Sequence, residues 1–115
     1  MKILWISRHD MTDEQLTDLH RIYGDFELQK LDKTIQNIND ILQIKADVYA
    51  VVLPLNILIE LRKNTSVDII QPVSERILSN RSIFNSANGK YEKEYIFKHM
   101  YWQKIIKADI QFKKL

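Results

Sequence analysis

The chain has 115 residues and a mass of 13.7 kDa, a size that fits one domain, and 45% hydrophobic with 28% charged residues is an ordinary globular balance. No cysteine is present, which excludes disulfides and thiolate metal sites, and a net charge of +2 is too small to mark a nucleic-acid binder by itself. The apolar run Ile3–Ile6 gives way to Ser7-Arg8-His9-Asp10 and is too short for a leader or a membrane span, so a cytoplasmic protein without membrane contact is expected.

Ile3, Leu4, Trp5 and Ile6 suit a strand buried on both faces. Thr12 and Gln15 then have the spacing of a capping box, and Asp13 and Glu14 complement the positive end of a helix. Leu16, Leu19, Ile22 and Tyr23 follow at helical spacing, and Gly24 supplies a stop. Phe26, Leu28 and Leu31 predict a second, partly exposed strand. Asp32 or Thr34 would cap a second helix carrying Ile35, Ile38, Ile41 and Leu42 on one face.

Val48–Leu53 is the strongest buried-strand pattern in the chain. Pro54 ends it and opens a third helix through Leu55, Leu58, Ile59 and Leu61, with Asn64 as a stop. Val67, Ile69 and Ile70 predict a fourth strand closed by Pro72. Beyond it, Asn88-Gly89 signals a hairpin turn between Ser82–Phe84 and Tyr91–Phe97, in a loop longer than two residues. Residues 92–103 fit a strand or a helix, with strand preferred. Alternation from Ile106 to Lys113 predicts a last half-buried strand.

Strand–helix alternation of this kind predicts a single α/β domain over residues 1–115, of Rossmann-like or flavodoxin-like type. Four parallel strands within residues 2–73 would carry helices on both faces, and residues 74–115 would add an antiparallel β extension, basic and aromatic.

Two glycines, Gly24 and Gly89, cannot build a dinucleotide or Walker loop, and no GxSxG elbow exists, so classical dehydrogenase, P-loop and α/β-hydrolase chemistry is excluded. A phosphoreceiver reading fails because the third strand ends in Leu53-Pro54 where those domains carry an aspartate. His9, His20 and His99 lack metal-pair spacing. His9 and Asp10 with Asp32 are the nearest approach to a ligand set, so neither a metal nor any other cofactor is expected.

In open parallel sheets, ligands sit beyond the carboxyl ends of the strands, where strand order reverses. Ser7, Arg8 and His9 follow the first strand, Asn56 the third, and Ser74, Glu75 and Arg76 the fourth. Two guanidinium groups and the helix start at Thr12 predict a pocket for an anionic small molecule or nucleotide, of regulatory use. Catalysis is left open, with His9 the candidate acid or base and Ser7 the candidate donor. The plainer readings are a Ser7 hydroxyl that satisfies a backbone N–H, a boundary role for His20, and packing for His99.

Charge is divided unevenly. Residues 1–73 hold 8 basic and 11 acidic side chains, while residues 74–115 hold 9 and 4, together with seven of the 11 aromatics. Two alternatives follow: a protein-interaction or dimerisation module without a small ligand, and single-strand nucleic-acid binding, the less favoured. A homodimer through the aromatics of residues 84–112 is expected. The architecture is also broadly similar to small dimeric CRISPR-associated sensor domains that bind cyclic nucleotides, with no motif specific to them.

Overall fold

Strands β1 (Lys2–Ile6), β2 (Glu27–Leu31), β3 (Val48–Val51), β4 (Asp68–Asn85) and β5 (Lys90–Lys104) form one sheet in the order β2-β1-β3-β4-β5. This is the arrangement in a computed structural model that describes residues 1–107 and 114. The alternating stretch from 106 to 113 therefore lies largely outside the described residues.

Three helices connect the first strands: α1 (Asp13–Tyr23), α2 (Asn39–Leu42) and α3 (Leu55–Asn64). At α1 the capping box closes in both directions, Thr12 Oγ1 accepting from Gln15 N–H at 3.2 Å and Gln15 Oε1 from Thr12 N–H at 2.9 Å. Gly24 ends the helix at φ +74°.

The expected second helix is reduced to one turn without a side-chain cap. Arg8 uses the Thr34 hydroxyl and Asp32 faces Lys30, so neither expected cap opens a helix, and Asn37 Oδ1 takes the Asn39 N–H in a local turn. Ile35, Ile38 and Ile41 are still buried together. Their apolar spacing reports burial correctly, but the backbone between them is mostly irregular.

The sheet divides the core. On one side Leu4, Ile6, Tyr49, Val51 and Ile69 pack with Ile35, Ile38, Ile41 and with Leu58 and Leu61 of α3. On the other, Ile3, Trp5, Val48, Ala50 and Ile70 pack with Leu19 of α1, and Trp102 covers them at the edge. The ring centroids of Trp5 and Trp102 lie 6.0 Å apart, edge to face.

A doubly wound domain of four parallel strands does not describe this molecule. β1 pairs in parallel with β2 and β3, but β4 runs beside β3 only from Asp68 to Ile70. β4 then continues to residue 85 as half of an antiparallel ribbon with β5, and these two strands of 18 and 15 residues outweigh the other three. The result is a mixed sheet, richer in strand than in helix, with one long ribbon leaving it.

Pro72 does not end β4 because of which way it faces. Ile69 O accepts from Ile105 N–H at 2.8 Å, so odd positions at this point of β4 address β5 and even positions address the β3 side. β3 is paired only as far as Ile70. Pro72, an even position, faces the β3 side, so its missing N–H stops the ladder to β3 and takes nothing from the ladder to β5.

The ribbon closes in a four-residue turn at 86–89. Gly89, at φ +67°, donates its N–H to Asn85 O at 2.9 Å. Residues 92–103 are strand throughout. The radius of gyration is 17.3 Å against about 13 Å for a compact domain of similar size, which reflects the projecting ribbon. No helix among the described residues is long and apolar enough to cross a membrane.

Candidate functional site

The carboxyl ends of β1, β2 and β3 enclose a cavity of about 250 Å³ lined by Ile6, Ser7, Arg8, Lys33, Thr34, Ile35 and Val52–Pro54. β1 and β3 are adjacent in the sheet, while the chain passes through β2 on the opposite side between them. The cavity therefore stands at the reversal of strand order, where open sheets leave a crevice.

Its polar groups come from three loops. Arg8 projects after β1 and donates to the Thr34 hydroxyl, with no carboxylate partner among the described residues. Lys33, after β2, pairs with Asp40 at 3.0 Å and holds that carboxyl below its usual range. Ser7 Oγ accepts the His9 N–H at 3.1 Å, which is the backbone role expected of it. Pro54 begins α3, whose first intrahelical bond is Leu58 N–H to Pro54 O. No side chain caps this helix and no acidic residue lies in its first turn, so the amides of residues 55–57 keep their positive field.

The other expected site residues are placed elsewhere. His9 is exposed and outside the lining of this cavity; its carbonyl accepts from Trp5 Nε1 at 2.8 Å, and its imidazole has no orienting partner among the described residues. Asn56 is exposed in the first turn of α3. Asp10 and Asp32 both address Lys30, at 2.7 and 3.8 Å, and Lys30 pulls the Asp10 carboxyl below its usual range. An ammonium thus already stands between these two carboxylates.

Ser74, Glu75 and Arg76 are carried away from Arg8 because β4 does not stop at Pro72. Glu75 stands exposed opposite Lys98, and Arg76 lies 3.7 Å above the Tyr95 ring. Ser74 opens on a second cavity of about 340 Å³, lined by Thr12, Asp13, Glu14, Gln15, Ser74, Phe97 and His99. That cavity is on the α1 side of the sheet, and the Arg8 cavity is on the α2–α3 side. Ser7 and Arg8 are brought together; Arg8 and Arg76 are not.

Two features went unread in the sequence. Thr34 looked like a helix cap but serves Arg8. His99, 5% exposed, shares its Nε2 proton with Asp18 Oδ2 at 2.8 Å across 81 positions of sequence. That bond, before the lesser help of Arg21, holds the Asp18 carboxyl below its usual range against the cost of burial. His99 Nδ1 is buried without a partner among the described residues. Trp102 Nε1 donates to Gln15 O at 3.1 Å beside it, so β5 is fastened to α1 at the root of the ribbon. His20 also has a local role, stacked on Phe26 at 4.4 Å.

Compared with protein-family models, with curated proteins and with solved structures, the chain matches none.

Proposed function

We propose that the chain is a small regulatory module that binds an anionic ligand, a phosphate or carboxylate group such as that of a nucleotide, in the cavity at the ends of β1, β2 and β3. The observation that carries this reading is Arg8, without a carboxylate partner, in a crevice shared with Lys33, two hydroxyls and the uncapped start of α3. A guanidinium can grip an oxyanion through two parallel N–H bonds, and helix amides add donors that need no side-chain movement. At about 250 Å³ the cavity is below the usual size for a whole drug-like ligand, which fits capture of a phosphoryl group with the remainder lying outside. The reading includes a cytoplasmic setting, where phosphorylated small molecules are abundant.

Thermal shift with inorganic phosphate and with mono-, di- and cyclic nucleotides tests it. A ligand at a hundred times its Kd stabilises by about 2.7 kcal/mol, roughly 10 °C in a domain of this size. Arg8→Ala should abolish the shift, and Arg8→Lys should weaken it because an ammonium offers no planar fork. No shift with any of these anions, or an undiminished shift in Arg8→Ala, refutes the site.

A further inference from the structure

Beyond Ser74 the ribbon is an arm. It reaches from Ser74 to Asn85 and back through Lys90–His99, roughly 35 Å at the rise of a strand. An isolated two-stranded ribbon is marginal in water, so an arm of this length calls for a covering surface.

Its two faces differ. Cross-strand pairs share a face, and the face on the α1 side carries, from root to tip, Arg76/Phe97, Leu78/Tyr95, Ser82/Lys93 and Phe84/Tyr91. Phe97 is 76% exposed, Tyr91 75%, Phe84 54%, and Leu78 and Tyr95 46% each. With a large side chain offering about 200 Å², this stripe leaves roughly 600 Å² of mostly apolar side chain in water, at the upper end for a monomer. The opposite face is mixed, with Glu75/Lys98, Ile77/Ile96 and Ile83/Glu92.

We infer that the aromatic face of the arm docks, antiparallel, on the same face of a second copy of this chain. Two such faces would bury about 1,200 Å², the lower bound of a stable specific interface. A two-fold axis at Leu78/Tyr95, midway along β5 between His99 at the root and Tyr91 at the tip, places the tip of each arm over the root of the other. The Phe84–Tyr91 aromatic pair, its rings 5.2 Å apart, then meets the cavity of about 340 Å³ beside Ser74, Phe97 and His99. The charges agree with this placement. The arm brings Lys93 onto this face near its tip, and the cavity rim presents Asp13 and Glu14. The anion cavity lies on the other side of the sheet, so the two proposals stand or fall separately.

Sedimentation equilibrium of the full chain reads this inference. A species of twice 13.7 kDa is expected, dissociating reversibly on dilution. Tyr91→Ser and Phe97→Ser alter exposed positions, and each should weaken the dimer roughly ten- to a hundredfold, the effect of removing a central aromatic anchor. Circular dichroism confirms that these variants remain folded. Glu14→Lys should weaken association, and Glu14→Lys with Lys93→Glu should recover it. The inference is overturned by a monomer at the highest soluble concentration, or by a dimer indifferent to both aromatic substitutions. A charge exchange that fails to recover association overturns the register. A monomer that binds a single-stranded oligonucleotide through Tyr91 and Phe97 overturns it in favour of nucleic acid.

Discussion

Replacing Asp18 by alanine removes the fastening between the helix layer and the root of the arm. Asp18 accepts from His99 Nε2 at 2.8 Å through one oxygen and from Arg21 at 2.8 Å through the other. The Arg21 bridge is an exposed i,i+3 pair, with a guanidinium 70% accessible, and contributes at most a few tenths of a kcal/mol. The His99 bond is different. Its ring is almost wholly buried and its other nitrogen already lacks a partner among the described residues, so the substitution leaves both nitrogens unsatisfied. Orphaning a buried polar group costs about 1–3 kcal/mol, and a bond to a charged acceptor sits towards the upper part of that range. A loss of about 2 kcal/mol is therefore expected.

Urea denaturation read by tryptophan fluorescence measures this loss, because Trp5 and Trp102 pack against each other beside the contact. The variant should also have a flatter acid limb. The folded-state pKa of Asp18 lies below its ordinary value of 3.8, so its contribution is complete above that value and fades as pH falls through the lower one. Asp18→Ala loses this part of the slope. A variant within about 0.5 kcal/mol of the parent, the range of ordinary surface changes, would show that the pair does not hold the arm.

Val51 is fully buried between the sheet and α3, and Val51→Ala should cost roughly 1–3 kcal/mol in the same assay; a loss below half a kilocalorie contradicts a packed central strand. Gly89→Ala meets no atom within 4 Å, so only the positive φ opposes it, and a cost of about 1 kcal/mol confined to the hairpin is expected. Faster amide exchange in residues 82–93 with an unchanged rate in β1 and β3 checks this, and uniform exchange across the sheet contradicts it.

The buried half of the fold was legible because its signals are local. Ile3–Ile6 and Val48–Val51 are short continuous apolar runs, and such runs become strands wherever both faces are covered. The capping box at Thr12 is a pattern four residues long, and it closes as written. The second helix failed for the opposite reason. Ile35, Ile38 and Ile41 obey a helical period, but the Asn37 side chain takes the Asn39 N–H in a local bond that competes with a helix. Periodicity specifies which side chains go inside, and the competing side chains decide the path between them.

The site was legible only on the side of the sheet where strand ends were read correctly. Ser7 and Arg8 follow a strand that stops, and they line the crevice. The same crevice would take Ser74, Glu75 and Arg76 if Pro72 ended its strand. A proline terminates a strand only if the ladder that carries the strand onward needs its N–H, and that depends on which neighbour the N–H faces, a fact set by the pairing of Pro72 with Trp102 of β5. Pro72 faces the β3 side, so it ends the parallel pairing at Ile70 while β4 runs on against β5 and carries its polar residues onto the arm. The same event exposes Phe97 and Tyr91. Their strand pairing was readable from alternation and the Asn88-Gly89 turn, but their exposure was not, because no local pattern records which of the described residues lie across a strand face.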